Sequence, residues 1–288
     1  MNKTYDCIVI GAGPAGISSC LYLQESKLST FLIEKSAPGG RILQASQIAN
    51  YAGFKGSGAD LALNMFQNLD LNKITFTIDE VTSIKKGDLF TVQTKSETYQ
   101  ARFVILATGF TNKILVPTQE EFLGRGVSYC ALCDASLAKD KTILIYGNGA
   151  KAKEELMYLA TLAKKVYLVT NNIEVNLPNV ETYQNEELDC FIGNFKLTNV
   201  LLKSGINLNV DMAFLYTGYL PSTKMLTDLD ITNQAGLIEV APSGETKVKG
   251  LYAAGDVTSN NLKQVATAVA GGAICASSII KEANHVIR

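Results

Sequence analysis

The chain has 288 residues, of which 47% are hydrophobic and 18% are charged, so it can form one large or two medium domains and is not a disordered chain. Its 26 Lys and Arg residues are balanced by 27 Asp and Glu residues, and the net charge of −1 disfavours a nucleic-acid binder. Tryptophan is absent, and the single histidine, His285, lies near the end, so a histidine base or a histidine-ligated metal is disfavoured.

The N-terminal residues carry the pattern of a dinucleotide-binding βαβ unit. A strand is predicted over Tyr5–Ile10, followed by a glycine-rich turn, a helix to about Glu25 and a second strand that ends at Glu34. The turn GAGPAG, from Gly11, has GxGxxG spacing, in which the glycines allow a tight turn, close approach of a pyrophosphate and close helix–strand packing. Glu34 lies about 20 residues further on, where a carboxylate binds ribose hydroxyls. FAD is favoured because it is the usual occupant of such an N-terminal unit.

Strands are predicted to follow in the middle of the chain, and a second βαβ unit comes after them. Ile74–Ala101 alternates apolar and polar residues, which is typical of a β-meander, and Phe103–Ala107 is a further buried strand. The second unit has a strand over Thr142–Tyr146, the turn Gly147-Asn148-Gly149, a helix to about Ala163 and a strand over Val166–Val169.

The last third of the chain is predicted to contain short strands over Phe191–Tyr216, a strand over Gly250–Ala254 and a long apolar helix from Gln264 to Ile280. This helix is a little short for a bilayer, so a buried helix is expected. The whole pattern predicts an α/β fold with two Rossmann-like (three-layer ββα) nucleotide-binding domains, the second inserted into the first.

Cys130-Ala131-Leu132-Cys133, followed by Asp134, has the spacing of a redox disulfide or of half a zinc site. Zinc needs two more ligands, but Cys190 is isolated and His285 is remote. In a redox pair, one thiol attacks an incoming disulfide and the other resolves the mixed disulfide. Asp134 is then the only obvious proton donor or acceptor nearby.

Cysteine usage and the N-terminal sequence predict a cytoplasmic protein. Six cysteines are too few for a secreted disulfide scaffold of this length. Cys7, Cys20 and Cys275 lie in apolar settings, where a free thiol acts as a small hydrophobic group. No signal peptide is expected, because Asp6 and the glycine-rich turn interrupt the apolar run that such a peptide requires.

Several motifs, in the right order, make the chain resemble the low-molecular-weight thioredoxin reductase family over essentially its whole length. They are GAGPAG from Gly11, EKSAPGGRI from Glu34, Ala49-Asn50-Tyr51, ILATG from Ile105, GRGVSYCALCD from Gly124, TGYLPST from Thr217, and LYAAGDV with KQVATA between Leu251 and Ala268. The resemblance implies an FAD-binding domain of residues 1–112 and 220–288, and a central domain of residues 113–219 that carries the CxxC and a degenerate NAD(P)H-binding fold. It also implies a homodimer that acts on thioredoxin.

The resemblance also implies roles for individual residues. Cys133 would lie nearer the flavin, Cys130 would attack thioredoxin, and Asp134 would be the acid. Asp256 would bind the ribityl or phosphate part of FAD, and N–H groups around residues 264–266 would face the pyrimidine end of the flavin ring. The residues expected to bind FAD are Gly11, Gly13, Pro14, Ala15, Gly16, Glu34, Lys35, Gly40, Arg41, Ile42, Asn50, Val81, Ala107, Thr108, Gly109, Gly255, Asp256, Gln264, Val265 and Ala266. No metal is predicted.

The second glycine turn departs from the family pattern where NADPH would be recognised. Gly147 and Gly149 are retained, but the His-Arg-Arg type cluster of the family is replaced by Thr170-Asn171-Asn172-Ile173. Glu174 is the only charged residue nearby, and no arginine occurs between residues 126 and 287. A phosphate dianion would lack the charge-assisted contacts that hold it, so NADPH is disfavoured as the direct reductant.

The chain therefore resembles most closely the ferredoxin-dependent flavin thioredoxin reductases, in which electrons pass from ferredoxin through FAD to the disulfide. Ferredoxins are acidic, so a lysine cluster beside the flavin is expected. A domain rotation is expected to expose the dithiol, with hinges near Lys113–Pro117 and Tyr216–Pro221. An FAD-dependent dithiol oxidase that uses oxygen and an NAD(P)H-dependent thioredoxin reductase with an atypical pocket stay open. A regulatory flavoprotein is disfavoured by the intact GxGxxG, CxxC and Asp134.

Overall fold

A computed structural model describes residues 3–45, 47–260 and 262–286, apart from the side chains of Asn112, Leu132, Cys133, Tyr219, His285 and Val286. The helices within these residues are α1 (Pro14–Leu23), α2 (Gly58–Gln67), α3 (Ala131–Asp134), α4 (Gly149–Ala160) and α5 (Val265–Val286). The strands are β1 (Lys3–Ile10), β2 (Thr30–Glu34), β3 (Ile48–Tyr51), β4 (Phe54–Gly56), β5 (Ile74–Ile78), β6 (Val81–Lys86), β7 (Phe90–Thr94), β8 (Thr98–Leu106), β9 (Phe110–Asn112), β10 (Val127–Ser128), β11 (Thr142–Gly147), β12 (Lys165–Thr170), β13 (Val180–Gln184), β14 (Leu188–Gly193), β15 (Leu197–Leu202), β16 (Asn207–Asn209), β17 (Met212–Tyr216), β18 (Tyr219–Pro221) and β19 (Leu251–Ala253).

The first sheet is built from both ends of the chain. Strands β5, β2, β1 and β8 lie side by side in that order and run parallel. The other edge of β8 is shared, because its first half pairs antiparallel with β7 and its second half pairs parallel with β19. Alternate residues of β1 serve two cores: Cys7 and Val9 pack with α1 and α5, whereas Ile8 and Ile10 pack with the β6–β7 side. The sheet is therefore the middle layer of three.

The predicted β-meander over Ile74–Ala101 is correct only in its later part. Strands β6, β7 and β8 form an antiparallel meander, but β5 leaves it and pairs in parallel with β2. The separate strand predicted over Phe103–Ala107 is the continuation of β8. Burial along β8 changes from alternate residues to every residue, because its second half lies between parallel strands covered on both faces.

The second sheet is entirely parallel, in the order β10-β17-β11-β12-β13, and its strands fall between those of the first sheet in the sequence. Helix α4 covers one face, where Leu156 packs with Ile143 and Val166. The antiparallel strands β14, β15 and β16 cover the other face, where Phe191 and Val200 are buried. The predicted fold class, with two three-layer Rossmann-like units and the second inserted into the first, is confirmed.

Two antiparallel strands join the units where the chain leaves the first unit and returns to it. β9 pairs with β18, and Leu220 lies opposite Thr111 in this ribbon. Next to it, the buried Gln119 side chain accepts a hydrogen bond from Leu115 N at 2.9 Å and donates one to Lys113 O at 3.1 Å. The two segments predicted as hinges thus lie at this ribbon.

Helix α5, which was predicted as a buried helix, is buried on the face that packs on α1 and exposed on another. Cys275 and Ile279 are fully buried where α5 packs on α1, and Ser19 Oγ donates to Gly272 O at 3.1 Å across the contact. Ile274 on another face is 45% exposed. By length and composition alone, residues 265–284 could cross a membrane, with a mean hydropathy of 1.3, but a core helix of this kind meets the same criteria.

Candidate active site

A cavity of 1060 Å³ lies at the carboxyl ends of the parallel strands of the first sheet. Its wall includes the β1–α1 turn, the end of β2, the residues that follow β8 and the start of α5. Cys130 and Asp134 from the second unit also line it. This volume is at the upper end of the range for small-molecule sites, as an extended dinucleotide requires. The crevice beyond the strand ends is where α/β sheets bind ligands.

The glycines of the β1–α1 turn have distinct steric roles. Gly11 has φ +101°, and a Cβ there would lie 2.5 Å from Ala107 O. A Cβ on Gly16 would lie 1.8 Å from Gly11 O, so this glycine allows α1 to contact β1. Gly13 lines the cavity, and nothing lies within 4 Å of the position that a Cβ would take. The wall at Gly13 is therefore bare backbone beside open space.

Glu34 is buried at the end of β2 and is held by two backbone N–H groups. Its Oε2 accepts a hydrogen bond from Ala12 N at 2.7 Å, and its Oε1 accepts one from Ser36 N at 3.0 Å. These bonds keep the carboxylate beside the glycine turn, at the cavity wall. This is the position at which an acidic residue binds the ribose of a dinucleotide.

Two cations lie beside Asp256 on the wall of the same cavity. Arg41 Nη1 lies 3.3 Å from Asp256 Oδ2, and Lys263 Nζ donates to the carbonyls of Asp256, at 2.9 Å, and Thr258. Both cations also lie over Phe110, at 5.5 Å and 5.3 Å from the ring centroid. Burial raises the pKa of Asp256, while Arg41 and Lys263 oppose that rise. The cluster gives this part of the wall positive charge suited to phosphate groups.

The start of α5 meets the segment around β3 at the cavity. Asn50 Nδ2 donates to Gln264 Oε1 at 3.0 Å, which joins two predicted site residues that are far apart in sequence. Val265 is the first residue of α5, so the unpaired N–H groups of a helix N-terminus lie at the cavity wall.

The redox centre lies at the short helix α3. Cys130 is disulfide-bonded, and Asp134 N donates to Cys130 O at 3.2 Å. Asp134 is buried and accepts a hydrogen bond from Ser128 Oγ at 2.7 Å. The backbone of Cys133 belongs to α3, but its side chain lies outside the described residues, so its pairing with Cys130 stays a prediction. The side chain of His285 is also outside them.

The remaining cysteines carry free thiols away from this centre. Cys7, Cys20 and Cys275 are fully buried, and burial raises the pKa of each thiol, to about 12 for Cys275. These three match the structural role expected from their apolar settings. Cys190 is half-buried.

The cavity brings together nearly all the residues predicted to bind FAD. Gly16 and Ala266 do not line it: the first packs against the backbone of Gly11, and the second is exposed on α5. Ser128, Phe110 and Lys263 were not predicted as site residues. Ser128 lies in the quoted GRGVSYCALCD motif and Lys263 begins the quoted KQVATA motif, so both could have been identified, whereas the position of Phe110 depends on contacts between distant segments.

The second glycine turn is closed by asparagine side chains. Asn172 Oδ1 accepts a hydrogen bond from Gly149 N at 3.0 Å, at the start of α4. Asn148 Oδ1 accepts bonds from Thr170 Oγ1 at 3.0 Å and Asn171 N at 2.7 Å. The end of β12 is thus fastened to the turn by neutral amides.

The first turn and its surroundings fit FAD. Bare backbone at Gly13, the buried carboxylate of Glu34 and the cations Arg41 and Lys263 supply the contacts that pyrophosphate and ribose need. The rest of the wall reaches Cys130, so a flavin ring in the same cavity would adjoin the redox centre.

Comparison with known proteins identifies the family. Residues 5–272 match the family model described as pyridine nucleotide-disulphide oxidoreductase. A thioredoxin reductase of Bacillus subtilis is 35% identical over 96% of this chain and 94% of its own length. The crystal structure of thioredoxin reductase from Streptococcus pyogenes has 34% identity, covers 99% of this chain and 100% of that one, and gives a TM-score of 0.90. A structure titled ferredoxin-flavin thioredoxin reductase, from Clostridium acetobutylicum, has 32% identity over 99% and 100% of the two chains and a TM-score of 0.57. The chain therefore belongs to the low-molecular-weight thioredoxin reductase family of FAD-binding disulfide oxidoreductases.

Proposed function

We propose that the chain reduces the disulfide of thioredoxin through a Cys130–Cys133 redox pair, and that reduced ferredoxin, not NADPH, supplies the electrons. When bound, FAD supplies the redox chemistry that connects a one-electron donor to a two-electron disulfide. The observation that carries the choice of donor is the closed second glycine turn.

In a nucleotide site, the N–H groups at the start of the helix after the turn donate to the pyrophosphate. Here Gly149 N already donates to Asn172 Oδ1, so a nucleotide would first have to break a bond worth about 1 kcal/mol. Residues 171–179 contain no Lys or Arg, so the 2′-phosphate of NADPH would lack charge-assisted bonds worth about 1.5–3 kcal/mol each. Both effects weaken the binding of NADPH.

The comparisons support thioredoxin reduction and leave the electron donor open. The Clostridium acetobutylicum protein is titled a ferredoxin-flavin enzyme and is about as similar in sequence as the Streptococcus pyogenes protein. Its TM-score is much lower at the same coverage, which indicates that the two units can be arranged differently in this family. We propose that the β9–β18 ribbon is the hinge of such a rotation.

We propose a division of labour between Cys130 and two residues of α3, Cys133 and Asp134. Cys130 is proposed to attack thioredoxin, and Cys133 to form the resolving thiol nearer the flavin. Asp134 lies within one helical turn of both and at the cavity wall, so it can hold a proton for a departing or attacking thiolate.

The proposed enzyme has an FAD-binding domain of residues 1–112 and 220–288 and a central domain of residues 113–219. FAD would be held by the predicted residues on the cavity wall, with Lys263 in addition. We further propose a cytoplasmic homodimer, supported by apolar groups left exposed on α1 and α5, such as Tyr22 at 50% and Ile274 at 45%.

An NAD(P)H-dependent reductase is the second candidate. It is favoured by the retained glycines Gly147 and Gly149, and by the many relatives named simply as thioredoxin reductases. Gly149 has φ +77° and open space around its Cβ position, so the turn itself is still shaped for a nucleotide. The two candidates differ only in how electrons enter.

An anaerobic flavin spectrum separates them. The holoenzyme is mixed in separate cuvettes with NADPH, NADH and chemically reduced ferredoxin, and the flavin absorbance is followed for seconds. Bleaching by ferredoxin alone is expected, and bleaching by NADPH within seconds would support the second candidate.

A second experiment tests the redox cysteine. Cys130→Ser should abolish thioredoxin reduction while leaving bleaching of the flavin by ferredoxin intact, and Cys190→Ser is its matched control. Rapid oxygen uptake with dithiols would instead indicate a dithiol oxidase.

A further inference from the structure

We propose that Ser128 is a positioning residue for Asp134, and that its hydroxyl allows Asp134 to hold and release a proton during disulfide exchange. This inference rests on the proposed function, in which Asp134 carries the proton. It adds a residue that lies two positions before the CxxC.

Ser128 lies in β10, and Asp134 is the last residue of α3; both are nearly inaccessible to solvent, at 5% and 6% exposure. Ser128 Oγ is 2.7 Å from Asp134 Oδ2, 3.1 Å from Cys130 N and 3.4 Å from Cys130 O. Hydrogen bonds between two oxygens normally span about 2.5–3.0 Å. The serine proton is therefore assigned to the contact with Asp134, and Cys130 N–H donates to the serine oxygen.

A hydroxyl has one proton to donate and two lone pairs to accept. When Asp134 is ionised, Ser128 donates to it. When Asp134 is protonated, its own O–H can donate to Ser128, and the serine proton can turn towards Cys130 O at 3.4 Å. The bond from Cys130 N is kept in both states. Ser128 thus offers Asp134 a bond in either protonation state, which matters because unpaired buried polar groups are strongly unfavourable.

This property suits the exchange with thioredoxin. The Cys130 thiolate attacks the thioredoxin disulfide, a bond between the two sulfurs forms, and the thioredoxin thiolate that leaves takes the proton of Asp134. The Cys133 thiol then gives its proton to the Asp134 carboxylate and attacks Cys130. The Cys130–Cys133 bond forms, the mixed disulfide breaks, and the second thioredoxin thiolate takes a proton from solvent. One electron pair passes to thioredoxin, and Asp134 ends protonated as it began.

The test isolates this exchange from the electron donor. FAD-loaded holoenzyme is reduced with dithiothreitol, freed of it anaerobically and mixed with excess oxidised thioredoxin in a stopped-flow instrument. The chain contains no tryptophan, so tryptophan fluorescence reports only a thioredoxin that carries a tryptophan beside its disulfide. The limiting rate and the half-saturating thioredoxin concentration are both measured.

We expect Ser128→Ala to lower the limiting rate about 10- to 100-fold, within the range that proton transfer contributes, with less than about twofold change in half-saturation. Ser128→Thr should restore most of the rate, whereas Ser128→Val, which matches threonine in shape but lacks the hydroxyl, should not. This pair decides the matter if the alanine variant does not fold. Ser278→Ala, which removes a half-buried serine hydroxyl on α5, is the control and should leave the rate unchanged.

Coupling to Asp134 is the decisive readout. In an Asp134→Asn background, Ser128→Ala should change the rate by less than about twofold, because both residues then act through a step already lost. An equal loss in both backgrounds, or a normal rate in Ser128→Ala, would overturn the inference. If the wild-type dithiol does not reduce thioredoxin at all, the proposed function fails and this inference fails with it.

Discussion

Two glycines of the same turn should respond in opposite ways to the same substitution. Gly13 has φ −75° and ψ −178°, which alanine adopts freely, and nothing lies within 4 Å of its Cβ position. Gly13→Ala should therefore leave the FAD-free protein as stable as before, or stabilise it by about 0.4–1 kcal/mol through the unfolded state. At Gly16, by contrast, a Cβ would lie 1.8 Å from Gly11 O, a backbone atom that cannot turn aside.

Gly13→Ala should act on FAD affinity, and Gly16→Ala should act on stability. The methyl group of Gly13→Ala would keep the pyrophosphate from the N–H groups of α1, and the loss of one such charge-assisted bond is about 1.5–3 kcal/mol, or about 10- to 150-fold in Kd. Gly16→Ala should lower the free energy of unfolding by about 1–3 kcal/mol or more, because α1 must move off β1, despite the better helix propensity of alanine.

The assays are urea unfolding of the FAD-free protein and titration of each variant with FAD, followed by quenching of flavin fluorescence. Gly13→Ala should weaken FAD binding without lowering the free energy of unfolding. Gly16→Ala should lower the free energy of unfolding. The steric reasoning is refuted if Gly13→Ala binds FAD within twofold of wild type, or if it destabilises the FAD-free protein as much as Gly16→Ala does.

Three further predictions follow from other parts of the structure. The double substitution Asn171→Arg and Asn172→Arg removes the side chain bonded to Gly149 N and adds two cations, so NADPH affinity should rise at least about 10-fold. Calorimetry measures the affinity, and an unchanged value would show that the Asn172 bond and the missing cations do not prevent NADPH binding. Burial raises the pKa of Cys275 to about 12, so this thiol should resist iodoacetamide at pH 8.5 in the native protein and react once urea unfolds the chain. Mass spectrometry of each cysteine measures the labelling, and rapid labelling of native Cys275 would contradict its burial. Gln119→Ala leaves the Leu115 N–H and Lys113 carbonyl without their side-chain partner, so the free energy of unfolding should fall by about 1–3 kcal/mol in urea titrations, and no change would show that water replaces the amide.

Local patterns in the sequence predicted much of the fold and of the FAD site. The turn from Gly11 and the acid at Glu34 are recognisable because chain spacing alone sets their geometry, and the structure places both on the cavity wall. The strand β5 was misassigned because alternation shows that a strand is half-buried but does not show which strand it pairs with.

Contacts between distant segments could not be predicted from the sequence. Arg41 and Lys263 both lie over the Phe110 ring only because three separate segments of the chain meet there. The bond from Gly149 N to Asn172 likewise joins a turn to the end of the next strand. The missing cation can be read from the sequence, but the hydrogen bond between the Asn172 amide and this N–H group cannot.

The source of electrons is tested most directly by steady-state reduction of thioredoxin under anaerobic conditions. One preparation of the wild-type holoenzyme is supplied with either NADPH or reduced ferredoxin, and thioredoxin thiols are counted over time. We predict sustained turnover with ferredoxin and only background reduction with NADPH. Efficient turnover with NADPH at micromolar concentration would contradict the proposal that the second glycine turn no longer binds the nucleotide.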